Sequence, residues 1–123
     1  MTILRRVLPT LIAAAIVVSA CGSTEGDLIG AVEDYNAGFL EGNEEAVLDR
    51  FSARCLDIVG EDVIRTAVSE APDLNPGLEE VDVVVDLLID DRAQVTSVFS
   101  DPEYNQEDEP WLLEDGEWRN DNC

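Results

Sequence analysis

The spacing of apolar positions changes twice along this chain of 123 residues. Apolar residues first form a nearly continuous run that ends near position 20 and then recur every three to four residues; from position 80 they alternate with polar residues. The middle pattern is typical of amphipathic helices and the last one of half-buried strands. We therefore expect an apolar leader, a helical half and a strand half, in that order.

The helical half begins with a segment whose apolar residues share one face. Asp27 precedes this segment as a capping residue and Gly42 follows it as a terminator, so we expect a first helix over residues 28–41. The face that this helix turns inward consists of Leu28, Val32, Tyr35, Asn36, Phe39 and Leu40.

Two further helices are predicted before the pattern changes. Asn43 is a suitable cap for a second helix that extends to about residue 54. A third helix covers residues 61–70 and is expected to stop before Pro72. Residues 55–59 between them fit either a short strand or an irregular link.

The strand half predicts an antiparallel sheet. Residues 80–89 and 93–99 form two alternating segments joined by a short polar turn. Residues 101–109 are expected to be an acidic connection, and residues 111–119 a hairpin around an Asp-Gly turn. Three helices followed by a four-stranded antiparallel sheet give an α+β fold.

The leader has the layout of a secretory signal. Arg5 and Arg6 precede an apolar run that is shorter than the roughly 20 residues a membrane span needs. The run ends in Val-Ser-Ala-Cys at positions 18–21, which resembles the bacterial lipobox. This resemblance implies cleavage before Cys21 and attachment of diacylglycerol to its sulfur. The alternative is an ordinary signal peptide with Cys21 as a leftover thiol.

The lipobox reading divides the chain into three parts. Residues 1–20 are the signal peptide, residues 21–26 a tether, and residues 27–123 one domain. The expected location is extracytoplasmic, on the cell membrane, with the lipid at Cys21 as the membrane contact. Acyl chains anchor by about 0.8 kcal/mol for each buried CH₂ group, and stable anchoring takes two signals such as a pair of chains.

The charge of the chain restricts its partners. Loss of Arg5 and Arg6 with the leader takes the formal net charge from −21 to −23, and the chain has no His. Nucleic acid is excluded as a partner because phosphate contacts require many Lys and Arg residues. A second envelope protein or a second copy of the chain is compatible with this composition.

Two cysteines remain once Cys21 carries lipid. Outside the cytoplasm, an even number of cysteines usually pairs, so we expect a disulfide between Cys55 and Cys123. The chain-entropy model gives roughly 4 kcal/mol of stabilisation for a loop of this length. Two separate thiols are the alternative.

The order of these elements resembles the nuclear transport factor two-like, or SnoaL-like, superfamily. The resemblance rests on FLEGNEEAVLDRFS at residues 39–52, the long strand pair and the closing WLLEDGEWRNDNC. It implies a curved sheet around the first helix, with a cone-shaped cavity, and members commonly form dimers through the sheet face. Residues expected to line the cavity are Tyr35, Phe39, Asp82, Trp111 and Trp118. The alternative is that the aromatic residues have only a structural role and fill the core.

Enzymes of this superfamily use Asp, His or Tyr side chains in the cone as acids and bases. Without His, the candidates here are Tyr35, Asp57, Asp82 and Asp86. Alternation along the strand favours a solvated face for Asp82 and Asp86, so no catalytic residue is assigned.

Clusters of acidic residues contain oxygen atoms that could bind a metal, but their spacing matches no known metal-binding loop. Ca²⁺ has candidate ligands at Glu103, Glu107, Asp108 and Glu109, or at Asp90 and Asp91, but no Asp-x-Asp-x-Asp-Gly loop occurs. We expect neither a metal nor another cofactor.

These observations predict a membrane-tethered, non-catalytic domain that binds an envelope protein or a small apolar ligand. The alternatives are a small-molecule enzyme of the isomerase or cyclase type and an acidic binder of cations or basic peptides. A deep cavity with an isolated acid or Tyr of shifted pKa favours the enzyme. A cone filled by its own side chains excludes both the enzyme and the apolar-ligand binder.

Overall fold

The computed structural model describes residues 25–123, in which four α-helices precede a four-stranded antiparallel sheet. The α+β class and the antiparallel sheet are thus confirmed, but the number of helices was wrong by one. The helices are α1 (Glu25–Glu41), α2 (Glu44–Leu48), α3 (Ala53–Val59) and α4 (Glu61–Leu74). The strands are β1 (Glu80–Ile89), β2 (Arg92–Phe99), β3 (Gln106–Glu114) and β4 (Glu117–Asn120), with a 3-10 turn at Pro102–Tyr104.

Helix α1 buries the face that its periodicity predicted. The helix ends where Gly42 takes a positive φ of 70°, a conformation that glycine adopts without strain. The next backbone N–H, from Asn43, then donates to the Gly38 carbonyl at 2.8 Å. The buried residues of α1 are Leu28, Ala31, Val32, Tyr35, Asn36 and Gly38.

The additional helix comes from residues 55–59, which the sequence left undecided. Helix α2 stops early, because the chain turns at Phe51 to form a parallel bridge with Asn120. The Ser52 side chain then accepts a hydrogen bond from the Cys55 N–H at 3.2 Å and caps α3. The expected middle helix therefore ends early, at Leu48, and a second cap at Ser52 starts α3 at Ala53.

Helix α4 continues past Pro72 instead of stopping before it. Pro72 has no backbone N–H to donate to the Val68 carbonyl, so the helix loses one hydrogen bond there, and it closes with a hydrogen bond from the Asn75 N–H to the Ala71 carbonyl at 3.0 Å. The proline ring packs against Gly42, so closely that a β-carbon on that glycine would lie 3.0 Å from Pro72 Cγ. Packing against the end of α1 thus offsets the poor helix propensity of proline.

The sheet is an open meander in the order β1-β2-β3-β4. Strand β3 begins at Gln106, inside the segment that was expected to be an acidic connection. Its Glu109 lies directly opposite Val95, which is 1% exposed on the core face of β2. Because directly opposed residues of antiparallel strands share one face of the sheet, Glu109 also points into the core.

The core fills the space between the helices and one face of the sheet. Its largest fully buried side chains are those of Trp111 and Trp118. A disulfide joins Cys55 to Cys123, with the two α-carbons 5.6 Å apart, and thereby ties the last residue to α3. The other buried hydrophobic residues are Leu28, Ala31, Val32, Tyr35, Val47, Leu48, Phe51, Cys55, Ile64, Val68, Ala93 and Val95.

Candidate functional site

A cavity of about 270 Å³ lies between α1, the end of α4 and the sheet. Its wall is mostly apolar and aromatic, with a few polar side chains among the apolar ones. This combination is typical of sites that bind small molecules, although the volume is at the small end of the usual range. The lining residues are Tyr35, Asn36, Phe39, Leu40, Ala71, Asn75, Leu78, Phe99, Tyr104, Gln106 and Glu109.

The structure brings two of the five expected lining residues to this cavity. Tyr35 and Phe39 lie on its wall, one helical turn apart on α1. Trp111 and Trp118 do not line the cavity, because they are 1% and 2% exposed within the core. In the β3–β4 register Trp111 opposes Asn120, so the two indoles are diagonal neighbours on one face and not a directly opposed pair.

The prediction that Asp82 lines the cavity was wrong, because its carboxylate lies outside the cavity. A bulge in β1 separates Glu80 from Asp82, and the Asp82 side chain is exposed and accepts a hydrogen bond from the Val83 N–H at 2.9 Å. Asp86 is also exposed and accepts from the Thr96 hydroxyl at 2.6 Å. Asp57 is exposed on α3. Of the four candidate acids and bases, only Tyr35 therefore reaches the cavity.

Tyr35 is held by three aromatic neighbours. Its ring makes edge contacts with Phe39, Phe51 and Trp111, with centroids 5.1 to 5.5 Å apart. Burial, together with the nearby Glu109 carboxylate, raises the pKa of the Tyr35 hydroxyl far above its usual range. The phenol therefore stays protonated at any physiological pH and is a permanent hydrogen-bond donor.

Glu109 is the acid of the cavity, and the sequence did not single it out for this role. The residue is only 5% exposed, and burial raises the pKa of its carboxyl above the ordinary value. The Asn122 amide donates to Glu109 Oε2 at 3.3 Å and acts to lower the pKa. The Asn120 amide and the Trp111 indole also act to lower it, although neither buried N–H group completes a hydrogen bond with good geometry.

A second polar cluster borders the cavity where α1 meets the sheet. Asn36 is 4% exposed, and its amide donates both to Glu80 Oε1 at 2.7 Å and to the Ser97 hydroxyl at 2.9 Å. Burial raises the pKa of Glu80, the Asn36 hydrogen bond lowers it, and the charges of Glu33 and Asp82 raise it. This cluster fixes α1 against β1 and β2 beside the cavity.

A usable signal for Glu109 was present in the sequence. Trp111 was correctly predicted to lie on a strand, and extending the alternation back by one step places Glu109 on the same face. The acidic run at residues 107–109 concealed this continuation, because it is typical of a loop. Among residues 25–123, no three acidic or cysteine side chains converge as a metal site, and Glu109 faces an apolar cavity instead.

The predicted signal segment, the Val-Ser-Ala-Cys motif and Cys21 lie outside the described residues. Within the described part of the chain, no helix is both long enough and apolar enough to cross a membrane. Comparisons with protein-family models, with curated proteins and with solved structures found no match for this chain. The cavity and the motif at Cys21 are therefore the two features that indicate a function.

Proposed function

We propose that this protein is a lipid-anchored, extracytoplasmic binding protein whose cavity takes a small, largely apolar ligand. The observation that carries the proposal is the cavity of about 270 Å³ between α1, α4 and the sheet. A cone filled by its own side chains would have excluded this function, and the cavity supports it. We also propose that the fold is a small variant of the nuclear transport factor two-like cone.

The composition of the wall favours binding. Phe39, Leu40, Leu78 and Phe99 supply apolar and aromatic surface, and the buried hydroxyl of Tyr35 supplies a donor beside it. A ligand gains affinity from the apolar surface and orientation from a small number of polar groups. The volume of about 270 Å³ lies near the lower bound of about 300 Å³ for small-molecule sites, which favours a small ligand.

The anchor is supported by the motif at positions 18–21. Helix α1 begins at Glu25, four positions after Cys21, and an extended chain spans at most about 3.6 Å for each residue. The start of α1 would therefore lie within about 14 Å of the lipid-bearing residue. The domain would work close to the membrane surface.

Mass spectrometry of the native protein tests the anchor. We expect the mature chain to begin at Cys21 with a diacylglyceryl group, and a Cys21→Ala variant to lack the lipid and to escape cleavage before residue 21. An intact start at Met1, or an unmodified thiol at position 21, would overturn the anchor and leave the cavity argument untouched.

Calorimetric titration tests the binding function. The mature protein in lipid nanodiscs is titrated with small neutral apolar probes such as 2-phenylethanol, and protein-free nanodiscs serve as the blank. An Ala71→Phe substitution fills the cavity and should abolish binding. Ala67→Phe adds the same side chain on the exposed face of α4 and should leave binding intact. Equal binding by both variants would refute the cavity as the site.

Proton transfer on a small carbon acid is a second candidate function. The observation in its favour is that a buried carboxyl, Glu109, and a permanently protonated phenol, Tyr35, line one cavity. A carboxyl of raised pKa is a suitable general base, and a phenol can stabilise an enolate oxygen. This candidate predicts exchange of ketone α-protons in D₂O that Glu109→Gln abolishes, whereas a binding protein shows no exchange.

A further inference from the structure

Glu109 is a buried carboxyl without a cationic partner among the described residues. The ion pairs of residues 25–123 engage Arg50, Arg54, Arg65 and Arg119, and all of them lead to other acids. The direct hydrogen bond to the Glu109 side chain comes from a neutral amide, Asn122, at 3.3 Å. A buried carboxylate without a counter-ion is costly, and a ligand cation beside it would remove part of that cost.

The cavity around Glu109 also has the walls that organic cations prefer. Four aromatic side chains line it, and a positive charge is attracted to the face of such rings. Only one of the four, Tyr104, is substantially exposed, at 39%, so most of this aromatic surface is shielded from water. The aromatic residues of the wall are Tyr35, Phe39, Phe99 and Tyr104.

The negative charge around the cavity excludes an anionic ligand. No arginine lines the cavity, and Glu80 lies next to its wall through Asn36. An anionic ligand would therefore meet a carboxylate and no positive group, at a high cost in free energy. A neutral ligand would leave the Glu109 carboxylate without a positive charge beside it.

From this geometry we infer that the cavity recognises a small organic ammonium ion, with the Glu109 carboxylate as its counter-ion and the aromatic side chains as its walls. The inference rests on the proposed function, because it specifies the ligand class of the same cavity. It concerns recognition alone and requires no chemical step.

Matched pairs of probes separate the charge of the ligand from its shape. Choline and 3,3-dimethylbutan-1-ol have nearly the same shape, but only choline is charged. The pair 2-phenylethylammonium and 2-phenylethanol makes the same comparison with a larger apolar body. The mature, lipidated protein in zwitterionic nanodiscs is titrated with all four probes by calorimetry, and protein-free nanodiscs are subtracted.

The inference predicts that in at least one pair the cation binds ten times or more tightly than its neutral partner. Glu109→Gln should reduce this ratio to about one without abolishing binding of the neutral probe. Glu107→Gln removes the same charge from an exposed position on the same strand and should keep the ratio.

Three results would overturn the inference, and they differ in what they mean for the binding function. If neutral and cationic probes bind equally, or if Glu107→Gln lowers the ratio as much as Glu109→Gln does, the preference for a cation is refuted and the apolar binding site stands. If no probe of either kind binds, the proposed function fails together with the inference. Circular dichroism and thermal melts of both variants establish that each is folded.

Discussion

The buried carboxyl of Glu109 makes the stability of the protein depend on pH. Its pKa is raised by burial in the folded state, so the folded chain holds this proton more tightly than the unfolded chain. Below the ordinary value of 4.5 both states are protonated and the burial costs little. As the pH rises past 4.5, the unfolded chain releases this proton first. The free energy of unfolding then falls until the pH passes the raised pKa of Glu109 in the folded chain.

We therefore expect Glu109→Gln to stabilise the protein at neutral pH. The advantage over the wild type should be close to zero below pH 4.5 and should grow as the pH rises, because glutamine carries no charge to bury. Urea denaturation at a series of pH values measures this difference. Glu107→Gln is the control for the loss of one negative charge from the surface. A gain that is the same at every pH would contradict the proposed cause.

The sequence pattern predicted some of the residues that line the cavity and missed others. Tyr35 and Phe39 were predicted because helical spacing places them on the inward face of α1, and a helix fixes its faces locally. The prediction that Asp82 lines the cavity was wrong because Asp82 lies on the exposed face of β1, the face that alternation along the strand favours. Glu109 was missed because the acidic residues before it read as a loop and hid the alternation that leads back from Trp111, and its pairing with Val95 of the neighbouring strand shows that it points inward.

At the scale of elements, the contact between α1 and α2 depends on a glycine. A β-carbon on Gly38 would lie 2.8 Å from Val47 Cγ2, which is closer than the two carbons can approach. Gly30 lies on the same helix with nothing within 4 Å of the equivalent point. One helix thus contains a glycine required by packing and a glycine that packing does not require.

The two glycines make a matched pair of substitutions. Gly38→Ala should destabilise the protein by about 1–3 kcal/mol, because α2 must move or Val47 must change its rotamer. Gly30→Ala should stabilise it by up to about 1 kcal/mol through better helix propensity. Chemical denaturation of both variants measures these changes. A stabilising Gly38→Ala would show that the two helices are less closely packed.

At the scale of the whole molecule, the disulfide joins the end of the chain to the helical half. Cys55 is fully buried, and the bonded cysteines are 68 positions apart. Near the bond, the Arg50 carbonyl accepts a hydrogen bond from the Asn120 N–H, and the Ser52 hydroxyl donates to Asp121 Oδ1 at 2.7 Å. These contacts hold the same two segments together as the disulfide does.

Reduction of the disulfide should lower the free energy of unfolding by about 4 kcal/mol, because the unfolded chain regains the entropy of a long loop. Urea denaturation with and without a reducing agent measures this loss. The hydrogen bonds between the two segments should keep the reduced protein folded in the absence of urea. Unfolding of the reduced chain without denaturant would show that they do not suffice.

The formal net charge of −21 makes self-repulsion a property of the whole molecule. Salt screens exposed charges over about 10 Å at 0.1 M, so it should relieve this repulsion more in the compact state than in the unfolded chain. We expect the midpoint of thermal unfolding to rise between 10 mM and 500 mM NaCl. A midpoint that falls would indicate that ion pairs, such as those of Arg65 with Glu45 and Glu61, outweigh the repulsion.

The sequence by itself determined the class of the fold and the order of its two halves, helices before strands, because periodicity, caps and turn residues act over a few neighbouring positions. It also determined the inward face of α1, and the cysteine count indicated the bond that the structure contains. These properties depend on local geometry or on the number of reactive groups. They need no knowledge of which distant segments meet.

The tertiary structure alone decided which polar groups enter the core. Glu109 became the acid of the cavity because the register of β2 and β3 places it opposite a buried valine, and Pro72 stayed helical because it packs on Gly42. Ser52 started a separate helix where the chain turned towards Asn120. Register and packing join residues that are far apart in the chain, so a local pattern by itself does not settle which polar groups enter the core.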